Sequence, residues 1–456
     1  MRTIAFDIVY GVLEQERHSD ELFHSLTGEG REDNRKECSR QERSFLRRLS
    51  YGTIERAIFL DAVIGRYAKL PVRKMKPVVR TALRMGAYEI LFMDAVPAAA
   101  TCNEMVSLVR KKKCGNLCGF VNGVLRNMAR EPAAELRESV TAGAMPECRR
   151  LSLLYSVPEE LVHMLIQAYG KRTVKKMLAS FYEERPVTIR VQTMNASREQ
   201  VREELMRAGV TVKDGLYTHT GLFIDHFDRV EKLPGFAEGH FTVQDESSML
   251  PVLVSGVEPG HTVIDVCSSP GGKTFHAADI LQGRGLVSAR DISSRKLKRI
   301  MENAARLRAE HVQVKVWDAS VPDEEWRERA DVVFADVPCS GIGVIGKKPE
   351  IKYHAMKHAA DLPEIQKRIV AGAVTALKPG GTLIYSTCTV HPRENEEMAE
   401  WIEKNLPLQP VSLDAYLPET LRNGMTRLGM LQILPGIQHG DGFFVAKFKK
   451  SEDRKI

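Results

Sequence analysis

A chain of 456 residues, 43% of them apolar, exceeds what one hydrophobic core ordinarily holds, so two or three domains are expected. The 66 Lys and Arg against 59 Asp and Glu leave a net charge of +7, an excess that permits a nucleic-acid partner without requiring one. No run of about 18 apolar residues occurs, which excludes a membrane-crossing helix. Eight scattered cysteines exclude a disulfide framework, and with no apolar signal core at Met1–Asp7 a reducing, cytoplasmic setting is expected.

Residues 1–140 are predicted to be all-helical. Apolar positions recur at helical spacing in Ile4, Ile8, Val9, Val12 and Leu13, then in Phe45, Leu46, Leu49, Ile54 and Leu60. Further runs hold Val78, Val79, Leu83, Ala87, Ile90 and Leu91, and Val121, Val124, Leu125 and Met128, with Pro71, Pro77 and Pro97 as punctuation. The charged stretch Glu29–Arg43 is expected as a loop or a solvated helix end. Arg110-Lys111-Lys112-Lys113, followed by Arg126 and Arg130, is either a solvated helix end or a phosphate-contacting face. Cys114 and Cys118 have no second Cys/His pair at finger spacing, so two helical cysteines one turn apart are expected rather than a metal site.

Residues 141–235 form a mixed segment. Pro158–Leu178 is helical in pattern, Val187–Val191 is a strand, and Arg198–Ala208 is a helix closed by Gly209. Phe223-Ile224 and Phe241-Thr242-Val243 add short strands, giving a small α+β module. Across 236–450 short apolar runs at 262–266, 285–289, 312–316, 331–335 and 382–385 alternate with helical stretches. That alternation predicts an α/β domain with a mostly parallel sheet covered on both faces. Gly442–Phe448 adds a strand near an edge.

In an open α/β sheet the reactive groups gather beyond the carboxyl ends of the strands. Three places meet that expectation. The run Val263–Val266, with Asp265 inside it, leads into Cys267-Ser268-Ser269-Pro270-Gly271-Gly272-Lys273-Thr274. Gly271 and Gly272 allow a tight turn with close ligand approach, and a following helix would offer free N–H groups. The spacing matches neither the dinucleotide fingerprint nor the P-loop, which favours a nucleoside cofactor without a pyrophosphate. Asp291 ends the next strand and can accept from both ribose hydroxyls; Asp318 follows the third and is placed for an adenine amino group.

The other two places carry thiols: Asp336-Val337-Pro338-Cys339-Ser340 and Ser386-Thr387-Cys388-Thr389. A lone cysteine at a strand end is usually a small buried hydrophobe, but two in one α/β domain beside a nucleoside site point to covalent catalysis on an electron-poor ring. A thiolate adding to carbon 6 of a cytosine makes carbon 5 enamine-like and able to take a methyl group. An acid at ring nitrogen 3 that carries or shares a proton would stabilise the added charge, and Asp336 is placed for it. Spacing does not decide which thiol attacks.

Residues 236–450 resemble the Sun/Fmu family of RNA 5-methylcytosine methyltransferases through Asp265–Thr274, Asp336–Gly343, Lys347–Tyr353, Tyr385–Asn395 and Gly440–Phe444. Residues 1–140 resemble the helical NusB antitermination-factor domain through Leu49–Gly52 and Phe120–Arg126. One branch of the family, acting on 16S ribosomal RNA, is similar across the whole chain. The resemblance implies a Rossmann-like S-adenosylmethionine-dependent methyltransferase domain behind an RNA-binding NusB-like domain and an α+β module. It implies Cys388 as the attacking thiol and Cys339 as the group that assists product release. It also implies a cofactor pocket of Cys267, Ser268, Ser269, Pro270, Gly271, Gly272, Lys273, Asp291, Asp318 and Asp336, with Lys273 helping to position the cytosine or the neighbouring acid. The expected partner is unassembled or partly assembled 16S RNA, the enzyme acting as a monomer without a membrane or metal. Ser268-Ser269 stand where the family usually has two alanines, Thr389 where serine is frequent, Gly346 where a basic residue is common, and Arg290 precedes the ribose acid. Two other readings stay open: the same chemistry on transfer RNA, and an RNA-binding assembly factor with a vestigial catalytic domain.

Overall fold

The structure, a computed structural model, describes residues 1–27 and 38–452. Most of the charged stretch Glu29–Arg43 lies outside the described residues, and its last four residues open a helix. The chain divides into two compact units, Met1–Ala179 with Lys347–Met356, and Ser180–Gly346 with the chain from Lys357 onward.

The first unit is helical: α1 (Arg2–Gln15), α2 (Ser19–Thr27), α3 (Arg40–Glu55), α4 (Ala57–Tyr67), α5 (Pro77–Phe92), α6 (Ala98–Lys111), α7 (Cys118–Met128), α8 (Ala133–Ser139), α9 (Glu147–Tyr155) and most of α10 (Glu159–Ser180). The apolar stripes read from the sequence meet in one core around Phe6, Leu46, Leu60, Leu83 and Val121. Local signals set the helix starts: Ser39 and Glu42 form a reciprocal capping box at α3, and Pro77 takes the first position of α5. Cys114 and Cys118 do not share a helix. The chain leaves α6 after Lys111, Lys113 turns to positive φ, and a 3-10 turn (Gly115–Leu117) intervenes before Cys118 opens α7.

Lys347–Met356, distant in sequence, belongs to this unit. Buried Glu350 accepts from the Ser19 N–H (3.1 Å) and hydroxyl (2.9 Å) at the start of α2. Lys352 Nζ donates to the Glu55 carbonyl and the Tyr353 hydroxyl to the Ile54 carbonyl, each at 2.5 Å. Burial lowers the Lys352 pKa to about 7.

The second unit begins with an antiparallel sheet in the order β2 (Thr211–Asp214), β3 (Gly221–Asp225), β1 (Val187–Val191), β4 (Phe241–Val243), backed by α11 (Arg198–Arg207). Then follow α12 (Glu246–Ser255), β5 (Thr262–Asp265), α13 (Gly272–Leu281), β6 (Leu286–Asp291), α14 (Ser294–Arg306), β7 (Val312–Val316) and β8 (Ala330–Asp336). After α15 (Ile351–His358) come α16 (Leu362–Val374), β9 (Leu377–Thr387), α17 (Glu396–Asn405), β10 (Leu408–Pro410), α18 (Gly424–Arg427), β11 (Met430–Ile433) and β12 (Phe443–Lys450). The large sheet runs β10-β12-β9-β8-β5-β6-β7, with β11 also on β12. Strands β9, β8, β5, β6 and β7 are parallel to their neighbours, and β12 runs antiparallel to β9.

Period-two alternation divides the strand side chains between two helical layers. Val263, Val332 and Phe334 join the core with Phe275 and Leu281 of α13 and Leu297 of α14. Ile264, Val333 and Ala335 join the opposite core with Ile369 and Val370 of α16 and Met398 and Ile402 of α17. A polar junction ties the small sheet to α13. The Asp279 carboxylate accepts from the N–H groups of Thr193 and Met194, and fully buried Arg190 donates to Gln244 and Gln192. Among the described residues no helix is long and apolar enough to cross a membrane.

Candidate active site

Parallel strands present their carboxyl ends on one side; β5, β6 and β8 end there in Asp265, Asp291 and Asp336, which the sequence had marked, and Cys388 directly follows β9. Asp265 closes β5 beside Ala289 of β6; Asp336 closes β8 beside Ser386 of β9. Beyond β5 the chain turns sharply. The Ser268 N–H and hydroxyl both donate to the Arg290 carbonyl at 2.8 Å, and the Gly271 N–H returns to the Ser268 carbonyl at 2.6 Å. Gly271 has φ +108, a region in which an L side chain is strained, and it leads directly into α13. Ser268 is therefore committed to the frame of the turn. Ser269 is half-buried and Pro270 exposed.

Asp265 is buried. Thr274 donates to its Oδ2 at 2.7 Å, while its Oδ1 has no hydrogen-bond partner. Burial raises its pKa to about 7, with the nearby Asp336 charge adding to the shift. Burial likewise pushes the Cys267 thiol upward. Asp291 accepts from the Ser293 N–H at 3.0 Å. Asp318 is exposed, and its Oδ1 accepts from the N–H and hydroxyl of Ser320; these bonds lower its pKa.

On the β8–β9 side the side chains converge. Lys273, the first side chain of α13, is buried and places Nζ 2.6 Å from Asp336 Oδ2 and 5.1 Å from the centre of the Phe443 ring. The Ser386 hydroxyl donates to Asp336 Oδ1 at 2.8 Å. Asp336 is thus ion-paired with Lys273 through one oxygen and hydrogen-bonded by Ser386 through the other. Cys339 and Cys388, 49 residues apart in sequence, bring their sulfurs to 3.3 Å, and both remain partly exposed. The Cys388 contact, and then burial, push the Cys339 thiol above its usual range.

A match to the model of 16S rRNA methyltransferase RsmB/F covers residues 252–449, and one to the ferredoxin-like domain of RsmF/B-like methyltransferases covers 157–231. Residues 1–130 match the NusB family. Over 463 aligned residues the chain is 33% identical to the probable ribosomal RNA small subunit methyltransferase B of Bacillus subtilis, with 99% of this chain and 98% of that one covered. The probable enzyme of the same name from Synechocystis is 31% identical over 90% of this chain and 92% of its own. The chain belongs to the RsmB/F methyltransferase family. Two solved structures share the fold. The crystal structure of PH0851 has a TM-score of 0.81 at 24% identity, with 98% of each chain covered. That of NSun6 from Pyrococcus horikoshii with SFG has a TM-score of 0.58 at 22% identity, covering 65% of this chain and 99% of that one. The NusB-like helical domain and the methyltransferase sheet are those expected from the sequence, and the expected α+β module is the ferredoxin-like domain.

Within this RsmB/F chain three of the departures noted in the sequence have local explanations. Ser268 uses its hydroxyl to hold the turn. Arg290 lies over the Trp326 ring at 4.9 Å and pairs with Asp323 at 3.2 Å. The place of Gly346 is not without a cation: a Cβ there would lie 3.7 Å from Arg185 Nη2, whose partner nitrogen donates to the Gly440 carbonyl at 2.6 Å. Sequence reasoning missed Ser386 and Ile292. Ser386 was visible two residues before Cys388, and Ile292, which is 67% exposed, directly follows Asp291. It also missed Glu394, although it lies in the quoted stretch Tyr385–Asn395, and Gln366, which lies in none.

Proposed function

We propose that this RsmB/F protein transfers a methyl group from S-adenosylmethionine to carbon 5 of a cytosine in 16S ribosomal RNA, through a transient bond between Cys388 and carbon 6. The 3.3 Å approach of two thiols beside the Lys273–Asp336 pair carries this reading. The relatives are named as ribosomal RNA small subunit methyltransferases, which supports the substrate.

A nucleoside donor fits the carboxyl edge of β5, β6 and β7. The unpartnered Asp265 Oδ1 offers an acceptor, and Asp291 is flanked by exposed apolar surface from Ile292 and from Val316, its neighbour in register. Cys267–Lys273, Asp291, Asp318 and Asp336 would hold the donor. When bound, S-adenosylmethionine supplies a methyl carbon made electrophilic by its sulfonium.

Cys388 forms the bond to carbon 6 as a thiolate, which gives carbon 5 the electron density that methylation needs. Lys273 and Asp336, paired at 2.6 Å, face the charge that accumulates on the ring and stabilise it as a preorganised pair. The carbon 5 proton passes to water and the carbon–sulfur bond breaks with its electron pair returning to Cys388 as a thiolate, which restores the aromatic ring. Cys339, next to Cys388, takes part in that release. The ring must leave its stack to be reached, which favours single-stranded or partly assembled RNA. In the helical unit a cavity of about 360 Å³ is lined by Asn103, Arg110, Asn122 and Arg126, a donor set suited to RNA phosphates.

Incubation of the full chain with S-adenosylmethionine and 16S RNA, followed by nucleoside mass spectrometry, should yield 5-methylcytidine. Cys339→Ala should accumulate a covalent RNA–protein species, and Cys388→Ala should form neither adduct nor product. An adduct surviving in Cys388→Ala would overturn the assignment.

A further inference from the structure

Cys339 lies in a loop, yet the peptide groups on both of its flanks are gripped by buried side chains. The Pro338 carbonyl accepts from Gln366 Nε2 at 3.0 Å, and the Ser340 N–H donates to Glu394 Oε2 at 2.9 Å. The same Gln366 nitrogen also donates to that Glu394 oxygen at 3.0 Å. Both side chains are 0% exposed. The Tyr385 hydroxyl closes the cluster, lying 2.6 Å from the Glu394 carbonyl and 3.2 Å from Gln366 Oε1. One residue further on, the Ser340 hydroxyl meets the Thr389 hydroxyl at 2.7 Å, which ties this loop to the residue after Cys388.

We propose that Glu394 and Gln366 are positioning residues that hold Cys339 by the peptides on both sides of it and so set its separation from Cys388. Burying a carboxyl group in a loop anchor is expensive, and Glu394 keeps Oε1 without a partner. What that cost secures is an acceptor that receives two donors on one oxygen, from β8's exit loop and from α16, which no apolar side chain supplies. The catalytic consequence rests on the covalent reading above; the geometric claim does not.

The test uses the full chain without RNA or donor. Diamide oxidises two thiols to one disulfide, taking up two hydrogens as its own nitrogen–nitrogen double bond is reduced to a hydrazine, so the rate at which Cys339 joins Cys388 reports how well the sulfurs are held together. Peptide mapping follows that rate in Glu394→Ala, Glu394→Gln and Gln366→Leu, with thermal unfolding as the folding check. Glu394→Ala and Gln366→Leu should form the bond about a hundredfold more slowly, because a displacement near 1 Å costs about that much in proximity. Glu394→Gln retains an acceptor oxygen and should stay within about twofold of the parent. Under turnover the two slow variants should lose kcat while KM for RNA is kept. An unchanged disulfide rate in a folded Glu394→Ala overturns the proposal. If that variant does not fold, an unchanged rate in Gln366→Leu does the same. Failure of Cys339→Ala to trap an adduct would instead count against the covalent reading and leave the disulfide rates standing.

Discussion

Replacing Gly343 by Ala adds one methyl group and removes no reactive atom, yet it should disable the site. The Gly343 N–H donates to the Cys388 carbonyl at 3.1 Å, and the Gly442 N–H donates to the Gly343 carbonyl at 2.9 Å. A Cβ at this position would lie 2.0 Å from the Gly442 carbonyl oxygen and 2.8 Å from that of Cys388, where ordinary contact begins at 3.4 Å. Both obstructing atoms are backbone and cannot rotate aside, so the Gly442 strand entry or the Cys388 loop must yield by more than an ångström. Overpacking of this kind costs about 1–3 kcal/mol of stability. A reacting group misplaced by about 1 Å loses roughly a hundredfold in rate. Single-turnover methyl incorporation should therefore fall by about two orders of magnitude while the variant remains folded. Gly65→Ala, in α4 with nothing within 4 Å of the new Cβ, is the control and should gain up to about 1 kcal/mol. A folded Gly343→Ala with a rate within about threefold of the parent would show that the Cys388 loop tolerates displacement and would refute the reasoning.

Lys273→Met removes the cation from Asp336 and should lower kcat by roughly 10²–10³, measured in the same assay, as for loss of a preorganised charge partner. Glu350→Ala leaves the Ser19 N–H and hydroxyl without their carboxylate and should lower the unfolding midpoint of the helical unit in urea, a loss of about 1–3 kcal/mol. His391 accepts from the Arg393 N–H through Nδ1, and burial lowers its pKa from 6.5 to about 4. Its unfolded form binds more protons between those values, so its contribution is retained above pH 6.5 and lost as pH falls toward 4. The urea midpoint of His391→Gln should accordingly fall less steeply over that window than the parent's. Arg110→Ala and Arg126→Ala should each weaken RNA binding and reduce its salt slope by about one; unchanged slopes would remove the α6–α7 cavity from the RNA path.

Local pattern was enough for much of the architecture. Helical spacing of apolar residues marked the first unit because each helix buries one stripe, and β-strand runs between helices marked the parallel sheet because strands covered on both faces are apolar throughout. Asp265, Asp291, Asp336, Cys339 and Cys388 could be placed at strand ends because a residue's position along its own strand is a property of the sequence. The helical pairing of Cys114 with Cys118 failed for an equally local reason: four-residue spacing says nothing unless the helix continues, and Lys113 and the 3-10 turn end it.

The sequence alone determined which groups are available and at which strand ends they stand. Only the tertiary structure decided their distances. The meeting of the two thiols follows from β8 and β9 lying side by side with Asp336 opposite Ser386, a pairing between residues 50 apart. The Glu394–Gln366 grip needs α16 and the turn after Cys388 to reach the same loop, and Glu350 caps a helix 331 positions away. Hydrogen bonds and ion pairs act over about 3 Å of space, so contacts between elements far apart along the chain leave no period, spacing or motif in the sequence from which to read them.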